Sequence, residues 1–185
     1  MRIFIAIELP EREEDGLRQV QTDLEKICQR GRFYERRNLH LTLRFLGEAA
    51  EAWLPELRGA LTRTVSGQES FTLRFETGGT FGEREPWPVV WLGVSSEQAA
   101  LEKLQRRLEE NLALAGFPLE ERPYRPHITL ARQALLSKEQ VRTLSGKAVP
   151  PFNVTSLALM ESVVEDGRRV YLTRERFPFT ACAKA

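Results

Sequence analysis

The feature that most limits how this chain can fold is a pattern that occurs twice. His40-Leu-Thr-Leu and His127-Ile-Thr-Leu are built alike, lie 87 residues apart in a chain of 185, and hold its only two histidines. With 12 threonines in 185 residues, two unrelated histidines would both carry a threonine two places on with a chance of about 0.4%. The repeat implies a duplicated architecture in which each half gives one imidazole and one hydroxyl to a shared site.

Residues two apart on a strand point the same way. In the stretch 39–46, Leu39, Leu41, Leu43 and Phe45 form an apolar face, while His40, Thr42 and Arg44 share the other. In 127–130, Ile128 and Leu130 face the core and His127 and Thr129 face outward together. Phe45 therefore reads as core. Strict alternation sets Arg132 on the face opposite His127, so it reaches the same site only across a bulge or beyond the strand end.

Around the two motifs the periodicity gives a strand over Ile3–Leu9 and a helix from Pro10 to Gly31. A short strand at Phe33–Glu35 leads to the first motif strand, and a helix covers about 50–65. Phe71, Leu73 and Phe75 alternate as a strand, Thr77–Pro88 reads as a glycine- and proline-rich loop, and Val89–Val94 as an apolar strand. Ser95-Ser-Glu-Gln98 and Ser137-Lys-Glu-Gln140 both have capping-box spacing. Phe152–Val164 reads as one long strand, with Asp166-Gly167 as a tight hairpin turn back to Arg169–Thr173. Each motif strand is followed by a helix and two more strands. The expected fold is α+β and bilobal, with two pseudo-symmetric lobes of mostly antiparallel sheet, flanking helices and a central cleft.

The net charge of +1 leaves no global basic field, so tracking of a long duplex through many phosphates is not expected. Arginines do cluster beside both motifs: Arg30, Arg32, Arg36 and Arg37 before His40, and Arg122, Arg125 and Arg132 around His127. Cys28 and Cys182 have no metal or redox spacing and suggest a reducing compartment. The apolar run Ile3–Ile7 ends at Glu8, too short for a leader or a span, so a cytoplasmic protein is expected. Two histidines fall short of the three or four ligands of a typical metal site, and no acidic residue lies at ligand spacing. Trp91 reads as core. Trp87 and Phe81, placed in the loop, are the candidates for stacking on bases.

These residues resemble the bacterial and archaeal RNA 2′,3′-cyclic phosphodiesterases, also called 2′-5′ RNA ligases, within the two-histidine (2H) phosphoesterase superfamily. The resemblance rests on Met1-Arg-Ile-Phe-Ile-Ala-Ile7, His40-Leu-Thr-Leu-Arg-Phe-Leu-Gly47, Gly79-Thr-Phe81, Pro88-Val-Val-Trp-Leu-Gly93, Arg122-Pro123 and Pro126-His-Ile-Thr-Leu130. It spans nearly the whole chain. It implies one 2H domain over 1–185, built from two intertwined lobes with motifs at 40–43 and 127–130. It implies cofactor- and metal-free hydrolysis of RNA cyclic phosphate ends, tRNA fragments among them, to 2′-phosphates, with ATP-independent 2′-5′ ligation as the reverse. His40 is then the proton donor and His127 the acceptor, while Thr42, Thr129 and Arg132 hold the phosphate, in a monomer with no membrane partner.

The chemistry suits the residue types. Opening a cyclic phosphate takes a proton from water and gives one to the departing 3′ oxygen, and imidazoles with an ordinary pKa of about 6.5 supply both forms near neutral pH. Two other functions fit the same motifs: an esterase for a small cyclic nucleotide or an ADP-ribose cyclic phosphate, and a non-catalytic RNA-binding module.

Overall fold

A computed structural model describes residues 1–84 and 86–180 of the chain. Cys182, read above with Cys28, lies outside the described residues. The order is β1 (Arg2–Glu8), α1 (Glu11–Ile27), β2 (Arg30–Phe33), β3 (His40–Glu48), α2 (Leu54–Val65), β4 (Phe71–Phe81), β5 (Trp87–Ser96), α3 (Ala100–Leu114), β6 (His127–Leu135), α4 (Lys138–Thr143), β7 (Phe152–Val154), β8 (Ser156–Glu165) and β9 (Arg168–Pro178). The fold is α+β. Its strands form one curled antiparallel sheet in the order β7-β4-β5-β6-β3-β1-β8-β9, with β2 added alongside β6.

The two halves join within that sheet at the motif strands themselves. β3 and β6 pair at one position only, Leu41 opposite Ile128. These are the second residues of the two motifs, so the centre of the sheet lies between the histidines and their threonines. Leu41 and Ile128 are fully buried and join the apolar core beneath the sheet. α1 reaches that core with Leu17, Val20 and Leu24, and α3 with Leu101, Leu104, Leu108 and Leu112. Gln21 of α1 is buried as well, and its amide donates to the carbonyls of Tyr34 and Leu130. This ties the helix to the second motif strand without leaving those acceptors bare. Along β1, Ile3, Ile5 and Ile7 enter the main core, whereas Phe4 and Ala6 pack with Ala158 and Met160 on the opposite face.

Several local expectations fail for physical reasons. β4 continues through Gly78 and Gly79 to Phe81, where a loop was expected, because β5 pairs with it residue by residue from Gly78 opposite Leu92 to Phe81 opposite Val89. Here glycine makes room: a Cβ on Gly79 would lie 2.3 Å from the Trp91 ring. The Ser95–Gln98 box does not form. β5 holds Ser95 and Ser96 in pairing with Arg74 and Leu73, Gln98 and Ala99 take positive φ, and α3 begins only at Ala100. The second box does form, with Ser137 capping α4 and Gln140 returning the bond. The long strand breaks at Thr155 into β7 and β8. Asp166 and Gly167 turn the β8–β9 hairpin with φ of 49° and 75°, the left-handed pair such a turn requires. No helix among the described residues is long and apolar enough to cross a membrane.

Candidate active site

The alternation that places His40 and Thr42 together breaks immediately after them, and so does the one after His127 and Thr129. On β3, Thr42 pairs with Ala6 while Arg44 pairs with Ile5, so Leu43 is the extra residue of a bulge. On β6, Thr129 pairs with Trp91 while Ala131 pairs with Val90, so Leu130 is extra. Both bulges fall on the fourth residue of the motif. A bulge shifts the phase of all that follows. Leu130 and Ala131 are therefore both fully buried, and Arg132 emerges on the face of His127. The same shift on β3 buries Arg44 away from the His40 face and turns Phe45 out. Phe45 is not core as expected: it is 40% exposed and stacks on Phe4 at 5.2 Å. Phe45 and Arg132 are thus symmetry mates, each five residues after its histidine.

His40, Thr42, His127, Thr129 and Arg132 all line one cavity of about 660 Å³. Both imidazoles are held in the same way. Nδ1 of His40 lies 2.8 Å from the Asn38 carbonyl, and Nδ1 of His127 lies 2.6 Å from the Arg125 carbonyl. A carbonyl only accepts, so Nδ1 carries the hydrogen in both rings and Nε2 is left for chemistry. Nε2 of His40 meets the Thr42 hydroxyl at 2.9 Å. Asn38 is itself fixed, its amide donating to the Arg169 carbonyl and its side-chain oxygen accepting from the Tyr171 amide.

Two aromatic rings pack against each imidazole and against one another. His40 meets Phe4 and Tyr171, both at 4.9 Å, and those two rings lie 5.1 Å apart. His127 meets Phe81 edge-on at 4.8 Å and Trp91 at 6.1 Å. Neither tryptophan sits as expected. Trp87 is buried and its indole donates to the Leu136 carbonyl, whereas Trp91 stands beside His127. Phe81 does line the cavity. Arg132 is positioned by Tyr34, whose hydroxyl accepts from its Nε at 2.9 Å, and that hydroxyl lies 3.4 Å from the Tyr171 hydroxyl. Burial keeps the Tyr171 hydroxyl protonated well above its ordinary range. Tyr34 and Tyr171 carry no signal near either motif and reach the cavity through pairing of distant segments, whereas Asn38 lies two residues before His40.

Burial lowers the His40 imidazole from 6.5 to about 4, opposed by the Asn38 carbonyl and reinforced by the charge of His127. Burial also lowers His127, opposed by the Arg125 carbonyl and reinforced by Arg132. The His40 shift has a consequence for stability. The unfolded imidazole binds its proton more tightly, so stability is fully present above about pH 6.5 and is lost as pH falls through about 4. The interval of about 2.5 pH units corresponds to about 3 kcal/mol. Urea unfolding of the wild type and His40→Asn at pH 7 and 4.5 is expected to show the steeper loss in the wild type. Equal losses would mean that His40 is not held neutral by burial.

Among the described residues no three His, Cys, Asp or Glu side chains gather to hold a metal. The site offers two imidazoles fixed at Nδ1, two hydroxyls, one of them on Nε2 of His40, and the Arg132 guanidinium, a set suited to proton transfer around an anion.

A model of the 2′-5′ RNA ligase superfamily matches residues 9–166. The chain is 29% identical to an RNA 2′,3′-cyclic phosphodiesterase of Methanothermobacter thermautotrophicus over 96% of this chain and 98% of that one. It is 34% identical to one of Thermotoga maritima over 83% and 81%. The crystal structure of E. coli LigT complexed with 3′-AMP superposes with a TM-score of 0.79 at 30% identity, covering 97% of this chain and 98% of that one. With both motifs on one cleft and the match running through both halves, the chain belongs to the 2′-5′ RNA ligase superfamily.

Proposed function

We propose that this chain opens 2′,3′-cyclic phosphates at RNA ends to 2′-phosphomonoesters by acid–base catalysis between two histidines, without a metal ion. Water attacks phosphorus and gives its proton to Nε2 of His127. The bond from phosphorus to the 3′ oxygen breaks, and Nε2–H of His40 protonates that oxygen. Thr42, Thr129 and Arg132 hold the non-bridging oxygens as charge builds on them. With a 5′-hydroxyl in place of water, the same sequence forms a 2′-5′ bond without ATP. The observation that carries this reading is the matched pair of imidazoles, each tied at Nδ1 to the carbonyl two residues back and lining one cavity with both threonines. The names of the relatives support the substrate class. A bound phosphodiester anion raises the pKa of a nearby imidazole, which offsets the depression of His40 by burial.

On this reading residues 1–185 are a single domain of two intertwined lobes, one motif each, acting as a monomer in the cytoplasm. The test is incubation with an oligoribonucleotide ending in a 2′,3′-cyclic phosphate, in EDTA. The expected product keeps its phosphate on the 2′ oxygen. A 3′-phosphate, or activity lost in EDTA and restored by a divalent metal, would contradict the scheme.

The seat of His127 supplies a second test. A methyl on Gly79 collides with the Trp91 ring at 2.3 Å, and Trp91 flanks His127. Gly79→Ala is expected to displace that ring and cost roughly tenfold to a hundredfold in kcat, since small misplacements of catalytic groups are expensive. Unchanged kcat with altered tryptophan fluorescence would show that Trp91 does not position His127.

A further inference from the structure

The cleft has two exits of different character. One end is lined by Gln105, Glu120, Arg122 and Arg125, where Glu120 lies 3.4 Å from Arg44 and 2.9 Å from Arg122 and offsets part of the positive charge. At the other end, Tyr34, Asn38, Phe45, Arg132 and Tyr171 are shared with a second groove of about 1040 Å³. Among the described residues that groove adds Arg2, Arg32, Arg168 and Arg169 and one carboxylate, Glu35, which lies 3.3 Å from Arg168. All four of these arginines are exposed. Three separate segments supply them: the start of β1, the short β2 and the β8–β9 hairpin. An overall charge of +1 therefore conceals one concentrated basic channel that opens directly into the site.

The channel also presents a stacking surface. Phe45, 40% exposed, stands where the two cavities meet, with the Arg2 guanidinium 6.0 Å from its ring centre. Arginines along a groove with an exposed aromatic ring at its mouth suit a single strand. The phosphates follow the charges, and an unpaired base has a face to stack. A duplex offers no such face.

Resting on the cyclic phosphodiesterase reading, we propose that this groove holds the single-stranded RNA preceding the reacting end, with its phosphates on Arg32, Arg168 and Arg169 and a base on Phe45. The end beside Glu120 is left for the water or the 5′-hydroxyl that attacks. The two bulges acquire a purpose in this arrangement. Of the symmetry-related positions they align, one presents Arg132 to the phosphate and the other presents Phe45 to the strand. The chain then favours polynucleotide ends over mononucleotides, because only the former reach the channel.

The test is binding, which does not depend on turnover. Fluorescence anisotropy compares a labelled tetraribonucleotide ending in a 2′-phosphate with a labelled nucleoside 2′-phosphate. The wild type is expected to bind the tetranucleotide at least tenfold more tightly, with the difference shrinking as salt rises. Arg32→Gln with Arg168→Gln is expected to weaken the tetranucleotide by roughly tenfold and to reduce its salt slope by about 1.4. Mononucleotide binding should stay within about twofold and so certify the fold. Equal affinity of the wild type for the two ligands, or equal losses for both in the variant, would overturn the groove. Failure of the cyclic phosphate to turn over, with length-dependent binding intact, would instead overturn the catalytic reading alone.

Discussion

Replacing either His40 or His127 by alanine is expected to lower kcat/KM on a cyclic-phosphate end by about 10²–10⁴-fold, the usual worth of one positioned acid or base. The double variant should be little worse than the weaker single one, because the two groups act in one step. The pH profile of kcat/KM should be bell-shaped, since the scheme needs one neutral and one protonated imidazole at once. Unperturbed rings would put the maximum between about pH 6 and 8. Burial lowers both imidazoles in the free protein, so both limbs move to lower pH. The profile of kcat, which reports the bound complex, should lie to the alkaline side of it because the phosphate anion favours the charged ring. Stopped-time assays over pH 4 to 9 measure both. Coincident profiles would mean that substrate does not offset the burial of the imidazoles.

The largest expected loss of stability comes from Arg44. The bulge at Leu43 buries this side chain, only 6% exposed, with its guanidinium 3.6 Å from Glu109 on α3 and 3.4 Å from Glu120. It also donates to the Pro118 carbonyl, in the segment that leads from α3 to His127. Glu109 is largely buried, and burial outweighs Arg44 in raising its pKa. Arg44→Met would leave Glu109 without its cation and free the Pro118 carbonyl. Breaking such a pair from one side costs about 3–5 kcal/mol, and the value expected here is near the lower end because a raised Glu109 can take up a proton. Adding Glu109→Gln should recover part of the loss. Denaturant unfolding of the two variants tests this. A loss below about 1 kcal/mol for Arg44→Met would show that the cluster is solvated.

The two motifs were legible because a strand's alternation needs only neighbouring residues, and the duplication announced a shared cleft. What lay beyond the fourth motif residue was not legible, since nothing in Leu43 or Leu130 marks a bulge. Pairing with Ile5 and with Val90 creates each one. That is why alternation alone puts Phe45 on the core face and Arg44 on the histidine face. Gly78 and Gly79 read as breakers, which ends β4 early and leaves Trp87 in a loop. Tyr171 and Tyr34 show the same limit at longer range. Each touches the site through segments that meet only in the folded sheet.

The most direct measurement of the central claim uses a substrate whose 3′ leaving group departs without protonation. The two-histidine scheme predicts that such a substrate restores turnover by His40→Ala, which lacks only the proton donor, and fails to restore turnover by His127→Ala, which lacks the base. Rescue of His127→Ala instead would reverse the two roles. Rescue of neither variant, with a wild-type pH profile that has no limbs, would contradict catalysis by this pair.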